Sequence, residues 1–306
     1  CDWQGFESNV KELSSNIQNN VKASTCFPVL ALPISMSQQR KAAEIWSSDK
    51  FPSNPLLGAI PKSSAHSKIR IGYYSADFRI HPVSILTVGL FEHHDKSKFE
   101  LFAFSFGPDA HDSIRGRITS AFDKFIDVSA MSDQEVAALS RTLEIDIAID
   151  LSGHTEGTRL DVLSHRPAPV QMTYLGFPGT LGLPFIDYLI ADPRIIPPEL
   201  QNHYAEKIMY LPHCYLPRDT SVVPSLTTPK RSDFGLPEEG FVFCSFNHDY
   251  KINPPIFKIW MDLLKEVKAS VLWLMKLNEK AQENITKAAI KHGVDPVRLV
   301  YATRVP

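Results

Sequence analysis

The segment IRIGYYSADFRIHP, residues 69–82, decides the fold class of this 306-residue chain. Its apolar first half predicts a buried strand, and Pro82 followed by VSILTVGLFEHH predicts a helix with proline in its first turn. His81 therefore falls where a strand-end loop meets a helix start. Ligands of open α/β sheets bind in the crevice beyond the carboxyl ends of the strands, so His81 is a candidate active-site residue.

The chemistry of His81 at this position suits a general base. A helix N-terminus disfavours the protonated imidazole, which keeps the ring neutral and able to accept a proton. Considered alone, the residue is explained at least as well by a histidine that caps a loop. The remaining segments of the chain have to decide between these two interpretations.

The composition predicts a globular protein long enough for two domains, with 43% hydrophobic and 22% charged residues. A formal net charge of −2 and the absence of basic-aromatic blocks argue against a nucleic-acid partner. No apolar run reaches the ~18 residues of a membrane helix. Four cysteines without CxxC spacing favour a reducing compartment, so we expect a cytoplasmic protein. Because the chain begins at Cys1 and lacks a secretory signal, we expect it to be internal to a longer protein.

Strand and helix patterns alternate along most of the chain. Residues 1–48 have helical periodicity interrupted by the proline-bearing segment 26–33, and the Pro/Ser-rich residues 49–66 predict a linker. Beyond it, alternating strand and helix candidates predict a parallel α/β sheet. The strand candidates are IRIGYYS, ELFAFSFG, IDIAIDL, VQMTYLG and DYLIAD. A second series begins at FVFCSFN and holds too few β-α units for a complete doubly wound domain, so we expect this domain to be cut off.

Three strand candidates end in loops of the same character. These loops are SGHTEG, FPGTLG and HDYKINPP, and their candidate residues are His154, Thr155, Gly176, Pro178, Gly179 and Thr180. Parallel strands place such loops along one edge of a sheet. Glycine there allows close approach to a ligand, and threonine and histidine supply neutral hydrogen-bond donors, as is typical of sugar and phosphate sites. Taken singly, glycine and proline in a loop are more often ordinary turn residues.

Lys251 is a candidate for binding a diphosphate. It follows the strand candidate FVFCSFN by four residues and precedes Pro254-Pro255, the predicted first turn of a helix. Amide donors, helix dipole and ammonium group would all favour negative charge there, although an ordinary solvated lysine is the alternative. The chain has no DxD pair and no metal spacing among its histidines, so no metal is predicted.

Several long motifs together resemble a known family. They are SADFRIHP, DLSGHTEGTR, HRPAPVQMTYLGFPGTLGLPFIDYLIAD, YAEKIMYLPHCY and FCSFNHDYKINPPIFKIWMDLLKEVKASVLWL. From about Lys68 onward the chain resembles the catalytic region of the O-GlcNAc transferase/SPINDLY family of glycosyltransferases, in a bacterial-type version. Cys1-Asp2-Trp3 resembles the start of the helical segment that follows tetratricopeptide repeats in bacterial members.

This resemblance implies a GT-B architecture of two Rossmann-like domains preceded by a short helical segment. The expected divisions are residues 1–66 for the helical segment and linker, 67–225 for the N-terminal lobe, and 226–306 for the first part of the C-terminal lobe. It also implies an inverting transfer of N-acetylglucosamine from UDP-GlcNAc to serine or threonine of protein acceptors, with no metal and no cofactor. Most nucleotide contacts of the family lie beyond residue 306, so these residues alone are expected to turn over poorly.

The resemblance also assigns roles to individual residues. His81 aligns with the active-site histidine of the family, and Lys251 with the lysine that stabilises the leaving diphosphate. Asn247 and His248 are the candidate nucleotide contacts. The loop that lines the sugar pocket corresponds to Leu175, Gly176, Pro178, Gly179 and Thr180.

The chain departs from the animal members at several positions. Arg79-Ile80 replace a Gly-Asn pair, His154 replaces tyrosine, and Asp146 stands in place of histidine. These changes leave the donor open, with GDP-fucose and UDP-glucose as alternatives to UDP-GlcNAc. A non-catalytic module that binds peptides is the alternative from another functional class.

Overall fold

The computed structural model describes residues 1–60, 66–223 and 226–303. The chain divides into two compact units: a larger unit of residues 13–30 and 34–223, and a smaller unit of residues 1–12, 31–33 and the described residues from 226 onward. Each unit contains a parallel sheet with helices, so the predicted α/β fold class is confirmed. The division at residues 66 and 225 remains a prediction.

The helices and strands are as follows. The helices are α1 Phe6–Gln18, α2 Cys26–Val29, α3 Met36–Lys50, α4 Pro82–Glu92, α5 Ser113–Ala121, α6 Asp133–Thr142, α7 Leu160–Ser164, α8 Pro254–Glu266 and α9 Glu279–Lys291. The strands are β1 Ile69–Ser75, β2 Phe99–Ser105, β3 Lys124–Asp127, β4 Ile147–Asp150, β5 Val170–Thr173, β6 Tyr188–Ala191, β7 Lys207–Tyr210, β8 Val242–Ser245, β9 Val271–Met275 and β10 Leu299–Ala302.

The sequence patterns predicted most of these elements but missed five, namely α5, β3, α7, β7 and α2, which lies in the segment predicted to interrupt the N-terminal helices. The two missed strands are four-residue edge strands that mix charged and apolar residues, KFID and KIMY, so their apolar stretches are only two and three residues long. Helix α3 continues to Lys50, two residues into the predicted linker. Part of that linker, residues 61–65, lies outside the described residues.

The sheet of the larger unit has a single point at which strand order reverses. Within residues 66–223, the strands follow the order β3-β2-β1-β4-β5-β6-β7, and all their pairings are parallel. Strand β1 lies between β2 and β4, with Tyr73 opposite both Ala103 and Ile149. After β1 the chain adds β2 and β3 on one side of this strand, and it then adds β4 to β7 on the other side. Ligands of open parallel sheets bind at such a switch point.

Apolar side chains cover both faces of this sheet. On one face Tyr74, Phe102 and Phe104 are buried, and Tyr74 stacks on Phe104 with ring centroids 4.5 Å apart. On the other face Ile71 and Tyr73 pack with residues of α4 and α5. Because successive side chains of a strand point to opposite faces, a sheet buried on both faces requires a nearly continuous apolar run. This explains the sequence IRIGYYS.

Side-chain caps fix where several helices begin. Ser35 and Gln38 form a reciprocal capping box at α3, and Ser132 and Glu135 do the same at α6. Each box satisfies backbone amides that have no partner inside the helix. The helices of the smaller unit begin with asparagine caps at residues 253 and 278.

The smaller unit is built on strands in the order β10-β9-β8, all parallel, within residues 226–303. Helices α8 and α9 contribute Phe257, Met261 and Ile285 to its core. The N-terminal residue Trp3 joins this core: its ring lies 5.1 Å from that of Phe257, and its indole Nε1 donates to the carbonyl of Ile252 at 3.1 Å. Residues at the start of the sequence are thus part of this unit.

We expect replacement of Gly107 by alanine to destabilise the protein. An alanine Cβ at this position would lie 1.7 Å from the carbonyl oxygen of Ala76, so the backbone would have to move. Overpacking of this kind costs about 1–3 kcal/mol of unfolding free energy. Urea denaturation followed by circular dichroism measures the change.

Gly116 supplies the matched control because it lies inside α5, where an alanine Cβ would meet nothing within 4 Å. Alanine there should leave stability unchanged or raise it by about 0.5–1 kcal/mol, as expected inside a helix. A Gly107→Ala protein as stable as the wild type would show that this backbone contact does not hold the two loops together.

Candidate active site

A cavity of about 650 Å³ opens at the carboxyl-end edge of the larger sheet. Its walls come from residues 76–83 after β1, residues 106–108 after β2, residues 154–157 after β4, and Gly176 after β5. These strands include both sides of the switch point between β1 and β4. The volume and position are those of a site for a small molecule.

His81 lies in the wall of this cavity as the N-cap of α4. Its backbone is extended, with φ −151° and ψ 149°, and its Nδ1 lies 3.4 Å from the amide nitrogen of Val83. The same Nδ1 lies 3.5 Å from Oδ2 of Asp77, and about a third of the imidazole side chain is exposed. The structure therefore places His81 at a helix start, and the residue both caps the helix and faces the cavity.

Asp77 is a residue of the cavity that sequence reasoning did not single out. Its side chain is 9% exposed, and its Oδ1 accepts a hydrogen bond from Nη2 of Arg79 at 3.2 Å. The Nε of Arg79 is buried and has no hydrogen-bond partner among the described residues. The available signal was the spacing: a carboxylate four residues before a histidine, at the end of a strand.

His154 is a second histidine of the cavity, held in one tautomer. Its Nε2 lies 2.9 Å from the carbonyl oxygen of Leu181, and since a carbonyl only accepts, Nε2 carries the proton. The ring packs between Phe51 and Phe177, with centroids 5.9 and 5.2 Å away. Burial lowers the pKa of His154 below 6.5, although the bond to Leu181 acts in the opposite direction. His154 is therefore neutral at pH 7, with the lone pair on Nδ1.

Buried Asp150 shapes the loop that carries His154. Its carboxylate accepts hydrogen bonds from the amides of Ser152 and Gly153 at 3.1 and 2.7 Å, and from the hydroxyl of Thr173 at 3.2 Å. Burial raises the pKa of Asp150 to about 6, while these three donors lower it. Gly153 has φ +58°, a conformation that favours glycine. The carboxylate thus fixes the turn immediately after β4.

The structure brings four of the predicted site residues to one cavity: His81, His154, Thr155 and Gly176. The hydroxyl of Thr155 donates to the carbonyl of Ser152 at 2.9 Å. At Gly176 an added Cβ would lie 2.1 Å from the carbonyl oxygen of Leu151. Glycine is therefore required there by contact with the neighbouring loop, in addition to any need of a ligand.

The other predicted residues of the same loop lie away from this cavity. Leu175 and Pro178 line a separate cavity of about 130 Å³, and Gly179 and Thr180 line one of about 30 Å³. The buried hydroxyl of Thr180 donates to Glu206 at 2.7 Å and accepts from the amide of Ala205 at 3.0 Å. These contacts hold the loop in place, and a direct role of these four residues in ligand binding remains a prediction.

The remaining predicted residues belong to the smaller unit. Lys251 ends a short 3₁₀ helix after β8, and its Nζ lies 3.4 Å from Oδ1 of Asn247. The ring of His248 stacks on that of Tyr250 with centroids 6.0 Å apart. Asn247, His248 and Lys251 are all exposed and lie on one loop. Their roles toward a nucleotide remain predictions.

The described part of the chain, residues 1–60, 66–223 and 226–303, contains no group of three or more His, Cys, Asp or Glu side chains that could hold a metal ion. None of its helices is long and apolar enough to cross a membrane.

Comparison with known families decides what kind of protein carries this cavity. The profile of glycosyl transferase family 41 matches residues 1–224 and 219–306. The chain belongs to this family. The resemblance to the O-GlcNAc transferase/SPINDLY enzymes is thereby confirmed.

Relatives within the family carry consistent names. The probable UDP-N-acetylglucosamine–peptide N-acetylglucosaminyltransferase SEC of Arabidopsis thaliana is 33% identical over 321 residues, covering 98% of this chain and 33% of the relative. The protein named SPINDLY from the same plant is 34% identical over 210 residues, covering 67% of this chain and 22% of the relative. This family 41 chain spans at most about a third of the length of these two relatives.

A solved structure supports the fold assignment. A mutant O-GlcNAc transferase of Thermobaculum terrenum matches with a TM-score of 0.78 and 28% identity, over 90% of this chain and 52% of that one. The family 41 chain therefore has the fold of an O-GlcNAc transferase over nearly all of its length.

We expect His154→Gln to reduce the loss of stability at acidic pH. In the wild type, the folded state binds a proton at His154 less readily than the unfolded state does, because burial lowers the pKa from 6.5. The contribution of His154 to stability is therefore present at pH 7.5 and is lost as the pH falls below 6.5 toward the folded-state pKa. Urea unfolding at pH 7.5, 6.5 and 5.5 measures this slope.

His111→Gln is the control, because the side chain of His111 is 89% exposed. Other buried groups such as Asp150 titrate in all three proteins, so the comparison between variants isolates His154. Equal slopes for wild type and His154→Gln would contradict the proposed burial of a neutral imidazole.

Proposed function

We propose that the protein transfers N-acetylglucosamine from UDP-GlcNAc to serine or threonine side chains of protein acceptors. Membership of family 41 supports this, as do the names of its relatives, which describe transfer of N-acetylglucosamine to peptides. The observation that carries the proposal is the 650 Å³ cavity at the switch point, which has His81 in its wall. The cytoplasm is the proposed location, in keeping with four cysteines that form no disulfide.

His81 is proposed to act on the acceptor hydroxyl. As the hydroxyl oxygen attacks C1 of the sugar, its proton passes to the imidazole, and the bond from C1 to the diphosphate oxygen breaks with both electrons going to UDP. Attack from the face opposite the leaving group inverts the configuration at C1. His154, Thr155 and Gly176 line the same cavity and are proposed to contact the sugar.

Lys251 is proposed to stabilise the charge that develops on the leaving diphosphate. Its ammonium group forms no ion pair with a carboxylate among the described residues, and the hydrogen-bond partner it has is the neutral side chain of Asn247. Its charge is thus available to a phosphate oxygen, where an ammonium group provides electrostatic stabilisation. Asn247 and His248 are proposed to contact the nucleotide. In this proposal the lysine takes the place of a metal ion, and no cofactor takes part.

We expect His81→Ala and Lys251→Ala each to lower kcat by about 100-fold or more, the usual contribution of a general base or a charge-stabilising group. The assay measures transfer of radiolabelled N-acetylglucosamine to a protein acceptor by the protein at its natural length. His111→Ala serves as the control because it lies on the surface outside the cavity. Transfer at wild-type rates by both variants would refute these roles.

The donor is tested in a second experiment. The proposal predicts faster nucleotide release from UDP-GlcNAc than from UDP-glucose or GDP-fucose in the presence of an acceptor. Preference for one of the other two donors would support the same class of reaction with a different nucleotide sugar. Saturable peptide binding without nucleotide release from any donor would instead identify a non-catalytic binding module.

A further inference from the structure

The carboxylate of Asp77 lies beside Nδ1 of His81. In the proposed reaction Nε2, the other ring nitrogen, accepts the proton of the acceptor hydroxyl. Oδ2 of Asp77 is 3.5 Å from Nδ1, and the Asp77 side chain is 9% exposed. We infer that Asp77 is a positioning residue that selects the Nδ1–H tautomer of His81 and so keeps the lone pair on Nε2. This inference rests on the proposed function of His81 as the acceptor of the hydroxyl proton.

Two groups compete for Nδ1 of His81, and the hydrogen bond from the Val83 amide is the one that the structure contains. The amide nitrogen of Val83 lies 3.4 Å away and can donate only if Nδ1 is unprotonated. The carboxylate of Asp77 can only accept and requires a proton on Nδ1. A neutral imidazole carries one proton, so the first arrangement leaves Nε2 protonated and unable to act as a base. The second arrangement leaves Nε2 free to accept a proton.

The charge of the carboxylate favours Asp77 as the partner of Nδ1. A hydrogen bond to a charged group contributes more stability than one between neutral groups. The amide of Val83 belongs to the first turn of α4, where backbone amides have no partner within the helix. Val83 lines the cavity but is only 9% exposed, so its amide loses a partner when Nδ1 is protonated and turns to Asp77. The inference is that the interaction with the charged carboxylate outweighs this loss.

Neighbouring groups hold Asp77 in the orientation that this role needs. Arg79 donates to Oδ1 at 3.2 Å, which leaves Oδ2 directed to His81. The main chain is fixed as well, because the hydroxyl of Ser84 donates to the carbonyl of Asp77 at 2.5 Å, and the amide of Asp77 donates to Ser75 at 2.9 Å. The carboxylate is thus held by the end of β1 and the start of α4 together.

The consequence for the reaction concerns charge as well as orientation. When the acceptor hydroxyl gives its proton to Nε2, His81 becomes an imidazolium with protons on both nitrogens. The largely buried carboxylate of Asp77 then faces this positive charge at Nδ1 and stabilises it, as the orienting carboxylate does for the histidine base of hydrolases. The proton leaves Nε2 for solvent after the products depart, which restores the starting tautomer.

Asp77→Asn tests the inference, because asparagine keeps the shape of the side chain while its amide can donate to Nδ1. We expect kcat to fall by about 100-fold or more, the contribution of a functioning general base, with the KM for UDP-GlcNAc changed by less than about threefold. In protein of natural length labelled with ¹⁵N-histidine, the His81 nitrogen shifts should report Nδ1–H in the wild type and Nε2–H in Asp77→Asn. The His81 signals are assigned by their loss in His81→Gln.

Asp109→Asn is the matched control. Asp109 follows β2 on the same edge of the sheet, but it pairs with Arg115 and is not part of the cavity wall. It should leave kcat and the His81 signals unchanged.

The tautomer of His81 is measured in the wild-type protein, so this result does not depend on how the Asp77→Asn variant folds. It tests the inference about Asp77 independently of the proposed function. An Nε2–H tautomer of His81 in the wild-type protein overturns the inference, as does a wild-type kcat in Asp77→Asn. Absence of transfer from any nucleotide sugar by the wild type would refute the proposed function, while the tautomer would still decide whether Asp77 positions His81.

Discussion

The parallel pairing of β1 with both β2 and β4 is the constraint on which the candidate site depends. In a parallel sheet every strand runs in the same direction, so the loops that follow β1, β2, β4 and β5 must all emerge at one edge. The reversal of strand order next to β1 separates the crossing helices and leaves a crevice. Residues far apart in sequence, such as His81 and His154, share one cavity because of this topology.

Close backbone contacts and buried carboxylates then give the loops a single shape. Gly107 and Gly176 lie so close to carbonyl groups of neighbouring loops that a Cβ cannot be placed there without movement. Asp150 and Glu206 are nearly fully buried, and burial raises the pKa of each. Both accept hydrogen bonds from loop residues, which offset part of the cost of burying a carboxylate. Rigid walls of this kind are what a site that orients a sugar requires.

The two histidines of the cavity are controlled by different groups and have different capacities. A backbone carbonyl accepts a hydrogen bond from Nε2 of His154, and the aromatic surroundings keep this ring neutral, so it can offer an Nδ1 lone pair to a hydroxyl. His81 has a carboxylate at Nδ1 that can also stabilise a positive ring. The arrangement at His81 suits proton transfer, and the arrangement at His154 suits recognition of a sugar hydroxyl. The cavity therefore contains a candidate base and a candidate sugar contact of the same residue type.

The sequence by itself determined the α/β class, the parallel sheets, the long helices and the loops where a site belongs. Apolar runs, proline at helix starts and strand-end glycines are local signals that carry this information. The sequence patterns did not predict the edge strands β3 and β7, because these strands mix charged and apolar residues. They did not predict the roles of Asp77 and Thr180, because each role depends on contacts with other residues. The spacing of Asp77 and His81 is local, but only the structure shows that the loop between them brings the two side chains to 3.5 Å. The hydroxyl of Thr180 is turned toward Glu206, 26 residues away, and no local pattern encodes this partner because it is fixed by the packing of whole elements.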